Sequence, residues 1–391
     1  MPLTLLKDMV KQATITPQEC GIYKLITTKL NQIQASQASH TERLIIEQEH
    51  EGVKNLFYLL YPKGYDFSAL THLCFAGHVD VVPAGDGWEH EPFSAHEEGG
   101  YIYGRGTQDM KGGVSAFVSA ICESVRGQNL RDCMVSILLT SDEEGDGIYG
   151  TRVMLEELQK RDLLPHCCIV AEPTSIKYCG DMIKIGRRGS INGTLLIQGK
   201  QGHVAYPSKC LNPIELLGSR LGLLAGVNLD EGNEYFEPSK LVMTDIRGGM
   251  EVVNVTPQNL KIMFNVRNSP LSNESSIRTY IESVLEGIPH ELQLKTSSLP
   301  FITKSDTTLV ASLCRVIQKR VGKAPLLSTS GGTSDARFFA AYGVNVVEVG
   351  VPNDRIHAIN ERVLVDDILA LRDIFVDFIA LFNKSAKNFM S

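Results

Sequence analysis

Met134-Val135-Ser136-Ile137-Leu138-Leu139-Thr140-Ser141-Asp142-Glu143-Glu144-Gly145-Asp146-Gly147 is the stretch on which the reading of this chain turns. Residues 134–140 form a short, nearly continuous apolar run, the pattern of a strand buried on both faces. At its carboxyl end the composition flips, and four carboxylates fall within positions 142–146, with glycines beside them. Such a cluster repels itself unless water solvates it or cations neutralise it. The residues therefore read either as an acidic turn or as a cation site. The carboxyl end of a buried parallel strand is where open α/β sheets carry their sites.

Working outward, residues 56–61, 73–76, 168–171 and 344–347 are further apolar strand candidates, and helical patterns start near Gln18, Lys111, Tyr149, Asp306, Ser334 and Asp366. This alternation predicts an α/β layer with a largely parallel sheet. From Gly189 to about residue 299 the order changes to strand 190–198, helix 213–225, strands 241–247 and 259–266, helix 274–286 and strand 292–295. A β-α-β-β-α-β order of about a hundred residues predicts a ferredoxin-like α+β domain inserted in the first. The expected organisation is a first part over 1–187, an insert over 188–299, and the return of the first domain over 300–391. Two domains also suit the length, because one hydrophobic core rarely spans so long a chain.

A formal charge of -7 gives no basic face for nucleic acid. The start, Met1-Pro2-Leu3-Thr4-Leu5-Leu6-Lys7, lacks the basic, apolar and small-residue succession of a secretory signal, which points to the cytoplasm. No apolar run approaches the roughly 18 residues needed to cross a bilayer. The nine cysteines are scattered, with Cys167 and Cys168 adjacent and no C-x-x-C pair, so they read as reduced, partly buried thiols rather than a disulfide framework or zinc ribbon.

Four other loops hold polar residues beside apolar runs. In Phe75-Ala76-Gly77-His78-Val79-Asp80, side chains i and i+2 of an extended chain share one side, so His78 and Asp80 can meet. A metal-ligating imidazole usually passes its other N–H to a carboxylate, and Asp80 is placed to supply that contact or a neighbouring one. In Gly104-Arg105-Gly106-Thr107-Gln108-Asp109-Met110-Lys111, Asp109 reads as a helix cap or as a carboxylate shared between metals. Glu172, in Ala171-Glu172-Pro173, and His357, in Arg355-Ile356-His357-Ala358-Ile359-Asn360-Glu361, read singly as polar loop residues. Together the five loops hold two histidines and several carboxylates, the mixed nitrogen and oxygen donor set that suits zinc.

The succession G-H-x-D, G-R-G-x-x-D-M-K-G, D-E-E-G, E-P-T and a late His closely resembles the metallopeptidases and deacylases related to carboxypeptidase G and acetylornithine deacetylase. The resemblance runs from about residue 55 to the C-terminus. It implies a metal-dependent hydrolase of linear amides holding two Zn2+, for which Co2+ could substitute. His78 and Glu172 would hold one ion and His357 and Glu144 the other, with Asp109 bridging. Asp80 would support His78, and Glu143 would be the general acid/base. Glu172, rather than Asp, resembles the acylase and carboxypeptidase branch.

Lys184-Ile185-Gly186-Arg187-Arg188-Gly189, Gly202-His203-Val204-Ala205-Tyr206-Pro207, Asn254-Val255-Thr256-Pro257, Asn265-Val266-Arg267 and Ser330-Gly331-Gly332-Thr333-Ser334-Asp335 extend the likeness to deacylases of that branch. It implies a pocket lined by Arg187, Asn254, Arg267, Thr333 and Ser334. Guanidinium forks suit carboxylates, so the expected substrate is a small molecule carrying several of them. The likeness also implies a homodimer in which His203 reaches the partner's site. A sibling deacylase, acting on acetylornithine or another N-acyl amino acid, would keep the zinc site and change the pocket. A scaffold with a dead site would lack a ligand or the base, and none is missing. Thr107 and Gln108 depart mildly from the family pattern, and the tail beyond Lys384 matches nothing assignable.

Overall fold

Every residue of the strands Thr71–His78 and Cys133–Thr140 is buried. Successive side chains of a strand point to opposite faces, so burial at every position means that both faces of the sheet are covered. Phe75 shows the packing on one side: its ring lies 5.7 Å from that of Phe117, on the helix Lys111–Arg126, and 5.0 Å from that of Phe375, on the helix Val365–Lys384.

The computed structural model describes residues 1–36, 40–128 and 130–389. They form two compact units, one of Met1–Ile185, Thr303–Ser328 and Ser334–Ser391, the other of Gly186–Ile302 and Thr329–Thr333. In the first unit an eight-stranded sheet runs in the order Thr41–His50, Val53–Pro62, Cys133–Thr140, Thr71–His78, Cys167–Val170, Asn345–Glu348, Met182–Lys184, Leu326–Ser328. The strands Cys133–Thr140, Thr71–His78, Cys167–Val170 and Asn345–Glu348 are parallel to their neighbours in that middle group. Val53–Pro62 is antiparallel to both Thr41–His50 and Cys133–Thr140, so the sheet is mixed with a parallel centre. The parallel centre sets His78 opposite Thr140, bringing two of the strand ends read from sequence side by side.

Helix Lys111–Arg126 starts where its pattern predicts. A Cβ on Gly113 would collide with the carbonyl and side chain of Ala171, so glycine there lets the first turn lie directly on the end of a central strand. The helix expected from Gln18 begins instead at Ile22, because Cys20 (φ 48°) and Gly21 (φ 88°) take left-handed backbone that no helix continues through. Thr41–His50 escaped notice because its alternation is of charged and apolar residues on a partly exposed strand at the sheet's edge. Helix Pro2–Val10 and the small sheet of His96–Glu98, Tyr101–Tyr103 and Arg362–Leu364 add to the elements expected from sequence.

The second unit holds an antiparallel sheet in the order Lys240–Gly248, Asn259–Arg267, Ser190–Gln198, His290–Ser298. Asn259–Arg267 alternates, with Leu260, Ile262, Phe264 and Val266 buried, and these join Leu195, Leu217, Ile277 and Ile281 in one core. Each such side chain contributes roughly 1.5–3 kcal/mol on burial. Gly193 pairs with Phe264, whose ring occupies the space a Cβ would take. The helix expected over 213–225 is shorter, Pro213–Gly218 followed by a 3-10 turn at Leu221–Leu223, because Gly218 and Gly222 weaken helix propagation. Among the described residues no helix is long and apolar enough to cross a membrane.

Phe375 is fully buried against Phe75. Phe375→Ala is expected to destabilise the first unit by about 3–5 kcal/mol, read as a lower denaturant midpoint. A loss under about 1 kcal/mol would show that the helix does not hold the sheet through this ring.

Candidate metal centre

His78 ends its strand fully buried, and its ring is aimed from both nitrogens. Nδ1 lies 2.9 Å from the backbone carbonyl of Asp80, and Nε2 lies 3.0 Å from Asp109 Oδ1. A carbonyl only accepts, so Nδ1 carries a proton; without an ion Nε2 is protonated as well and donates to Asp109, and loss of that second proton frees its lone pair for a metal. The Asp80 carboxylate stands at 3.6 Å from Nδ1 and has other partners: Thr16 Oγ1 donates to it at 2.8 Å, Glu144 N at 3.2 Å and Glu143 N at 3.4 Å. Asp80 thus ties the acidic loop to the end of the histidine's strand.

Asp109 faces two histidines with its two oxygens, Oδ1 toward His78 and Oδ2 at 3.3 Å from His357 Nε2. Glu144 Oε1 is 2.9 Å from the same His357 nitrogen. Glu172 Oε1 and Glu143 Oε2 approach His78 Nε2 at 3.8 and 3.9 Å. Three groupings could hold an ion: His78, Asp109 and Glu172; Asp109, Glu144 and His357; and His78, Glu143 and Glu144. Glu172 Oε1 is buried and has no hydrogen-bond partner among the described residues. An orphaned buried carboxylate oxygen is costly unless a cation meets it, and imidazole with carboxylate is a suitable donor set for zinc.

The electrostatics follow from crowding. Burial pushes the carboxyls of Glu143 and Glu172 well up, and for Glu172 the charge of Asp109 adds to it. Burial would also raise Asp109, but hydrogen bonds from His357 and His78 outweigh it and hold the carboxyl below the usual carboxylate range. For His78, burial pulls down while the Asp109 hydrogen bond and the Glu172 and Glu143 charges pull up more strongly, so the imidazole rises. Hydrogen bonds to Asp109 and Glu144 lift His357 to about 10.

Nothing in the sequence around Glu361 marks it for a role. It is fully buried, its Oε1 accepting from Gln108 N (2.8 Å) and Asp109 N (3.2 Å), its Oε2 from Gly106 N (3.0 Å) and Arg105 Nη1 (2.8 Å). Arg105 also donates to the carbonyls of Ala358 (3.1 Å) and His357 (3.3 Å). One buried ion pair therefore holds the loops of Asp109 and His357 in register. His357 has φ 59°, left-handed backbone that costs roughly 1–3 kcal/mol and persists only where its surroundings hold it. The Gly-Arg-Gly pattern was the available signal for Arg105, and nothing marked Thr16.

Ser334 belongs to the first unit and donates to the buried Glu348 Oε1 at 2.5 Å. The other pocket candidates belong to the second. Arg187 is buried and donates to the carbonyl of Ser330 at 3.0 Å. Arg188 pairs with Glu237 at 3.0 Å, and burial together with the Arg188 charge lowers Arg267. Asn254 is exposed, its carbonyl accepting from Val204 N at 3.1 Å, and Thr333 is half-buried. His203 is exposed and its Nδ1 accepts from Ala205 N at 3.1 Å, which leaves Nε2 as the protonated position of the neutral ring.

This fold and site define a class. The chain matches peptidase family M20/M25/M40 over residues 74–381, and it belongs to that family. The succinyl-diaminopimelate desuccinylase of Helicobacter hepaticus is 69% identical over 99% of this chain and 99% of its own. The protein of the same name from Wolinella succinogenes is 51% identical over 96% and 98%, and that of Helicobacter pylori strain Shi470 is 49% identical over 96% and 97%. Among solved structures, aminopeptidase PepT of Bacillus cereus superposes with a TM-score of 0.79 at 19% identity, covering 97% of each chain. YXEP of Bacillus subtilis, a dinuclear metal binding peptidase from the M20 family, gives 0.71 at 11% identity, covering 98% of each. At those identities the likeness is one of fold.

A proton on His357 competes with any ion bound by its Nε2. Because the group is lifted to about 10, it is protonated at neutral pH and metal uptake must release that proton. The expected result is proton release at pH 7.5 by calorimetry in buffers of different ionisation enthalpy, with affinity for Zn2+ rising as pH rises toward 10 and falling below it. Affinity unchanged between pH 6 and 8 would contradict this placement of His357.

Proposed function

We propose that the chain is a two-zinc amidohydrolase that removes succinate from N-succinyl-L,L-2,6-diaminopimelate, yielding L,L-diaminopimelate for lysine and peptidoglycan precursor synthesis. The observation that carries the reading is the 69% identity to a desuccinylase over 99% of both chains. The convergence of His78, Asp109, Glu144, Glu172 and His357 supports the chemistry. Location in the cytoplasm accords with such a role.

His78 and Glu172 would hold one zinc and Glu144 and His357 the other, with Asp109 placed to serve both. Bound cations of this kind polarise a carbonyl and lower the pKa of water. Glu143 is the proton carrier: a carboxylate oxygen takes a proton from the attacking water and delivers it to the amide nitrogen as the C–N bond breaks. Asp80 accepts the backbone N–H groups of Glu143 and Glu144 and so fixes where both side chains start. Arg187 and Arg267 take substrate carboxylates, while Asn254 and Thr333 supply neutral donors; Ser334, whose hydroxyl proton is committed to Glu348, lines the pocket and has only its backbone N–H left to offer. His203 donates through Nε2 to the developing oxyanion in the partner subunit of a homodimer, an interaction worth roughly 2.7–4 kcal/mol in comparable sites.

Chelator-stripped protein should regain hydrolysis with Zn2+, or with Co2+, and favour N-succinyl-L,L-diaminopimelate over N-acetylornithine by about a hundredfold or more in kcat/KM. Equal or reversed preference would move the chain to the sibling deacylases. In the same assay Glu143→Gln should keep its metal and lose about 10²–10⁴-fold in kcat, whereas Glu144→Gln should lose metal occupancy.

Action of His203 across subunits has its own test. Glu143→Ala and His203→Ala proteins, each inactive alone, should recover activity when their subunits exchange, because the mixed dimer holds one site with both groups. Heterodimers that form and stay inactive would remove His203 from the partner's site.

A further inference from the structure

Beyond the centre, one more grouping of metal-capable side chains occurs among the described residues, and it shares no member with the other three: His90, His96 and Glu98. Its ligating atoms all lie within 4.8 Å of one another. His90 Nε2 stands 3.4 Å and His96 Nε2 3.8 Å from the same carboxylate oxygen, Glu98 Oε2.

Local structure explains the convergence. His96 and Glu98 sit at i and i+2 of the strand His96–Glu98 and so share a face. Ala95, with φ 54°, turns the chain so that this strand returns beside His90. The loop that carries His90 is anchored at both ends, Glu89 N donating to Asn360 Oδ1 at 2.9 Å and Arg105 N to the carbonyl of Pro92 at 2.8 Å. Tyr103, opposite His96 in the sheet, sets its ring edge-on to His90 at 5.2 Å and limits where the two imidazoles can go.

We propose that His90, His96 and Glu98 form a further site for a borderline divalent cation of the Zn2+, Ni2+ or Cu2+ class, separate from the candidate centre. Two imidazoles and one carboxylate select such ions over Mg2+ and Ca2+, which take oxygen donors. Donors about 2.0–2.1 Å from a tetrahedral ion lie about 3.3 Å apart, close to the His90 to Glu98 distance here. The imidazoles stack at 3.9 Å with their planes 25° apart, so their lone pairs run side by side. A turn of the more exposed His96 ring brings them onto one ion, and the remaining coordination positions stay open to water. Because Glu89 and Asn360 also pair through Asn360 Nδ2 and Glu89 Oε1 at 3.2 Å, an ion here would stiffen a loop joined to the one that bears His357.

The test uses tag-free, chelator-stripped protein dialysed against Ni2+ and, separately, Zn2+, with bound ions counted by mass spectrometry and folding followed by circular dichroism. Wild type should bind one ion per chain more than His96→Ala or His90→Ala, with affinity at that site reduced at least about tenfold in each variant. Amide hydrolysis by His96→Ala should match wild type. Asp109→Ala should lose ions from the centre and keep this one. His96→Ala binding as many ions as wild type, with unchanged affinity, would overturn the proposal. A centre that takes no metal would show instead as Asp109→Ala equal to wild type, with the drop of one ion in His96→Ala untouched.

Discussion

Asp109 is the constraint around which the first unit is organised. One of its oxygens faces a histidine at the end of a fully buried strand, the other a histidine on a loop almost 250 residues later. A single short carboxylate can face both only if two loops are held to within a few tenths of an ångström. Glu361 and Arg105 hold them, through backbone N–H groups on one side and backbone carbonyls on the other. The pair is buried, a situation in which a lone charge would be strongly destabilising, and here every charged oxygen has two partners.

The sheet supplies the rest of the precision. Parallel strands end on the same side, so His78, the acidic loop after Thr140 and Glu172 after Val170 emerge from neighbouring strands. The helix packs closely against those ends, with no room for even a Cβ between Gly113 and Ala171. The result is a pocket of like charges whose self-repulsion is relieved by protons or by cations. The orphaned oxygen of Glu172 is the plainest sign of it among the described residues.

The second unit is built differently: one face of its sheet is buried against the helices of Leu217 and of Ile277 and Ile281, and the other is exposed, with Val242 and Met263 lying among polar residues such as Lys261. Its functional candidates divide by burial. Arg187 is held from behind by the carbonyl of Ser330, whereas His203 and Asn254 lie in exposed loops whose local turns orient them. A guanidinium with a fixed base is suited to recognising a carboxylate, and an exposed histidine is suited to meeting another surface.

The sequence by itself determined the α/β class, the centre of the sheet and the five loops whose histidines and carboxylates the fold brings together. Apolar runs that end in His, Asp or Glu are local patterns, and family motifs are local too. It also marked the ferredoxin-like order of strands and helices, because periods of 2 and 3.6 are written in neighbouring residues. Only the tertiary structure decided that the Asp80 carboxylate holds the backbone of the acidic loop, that Glu361 clamps Asp109, and that His90, His96 and Glu98 share one oxygen-centred cluster. Each of these joins residues through backbone groups or across turns with positive φ, and backbone N–H groups look alike in every sequence. Thr16 and Arg105 matter because of where folding brings them, which depends on packing energies summed over the whole core rather than on any pattern around the residues themselves.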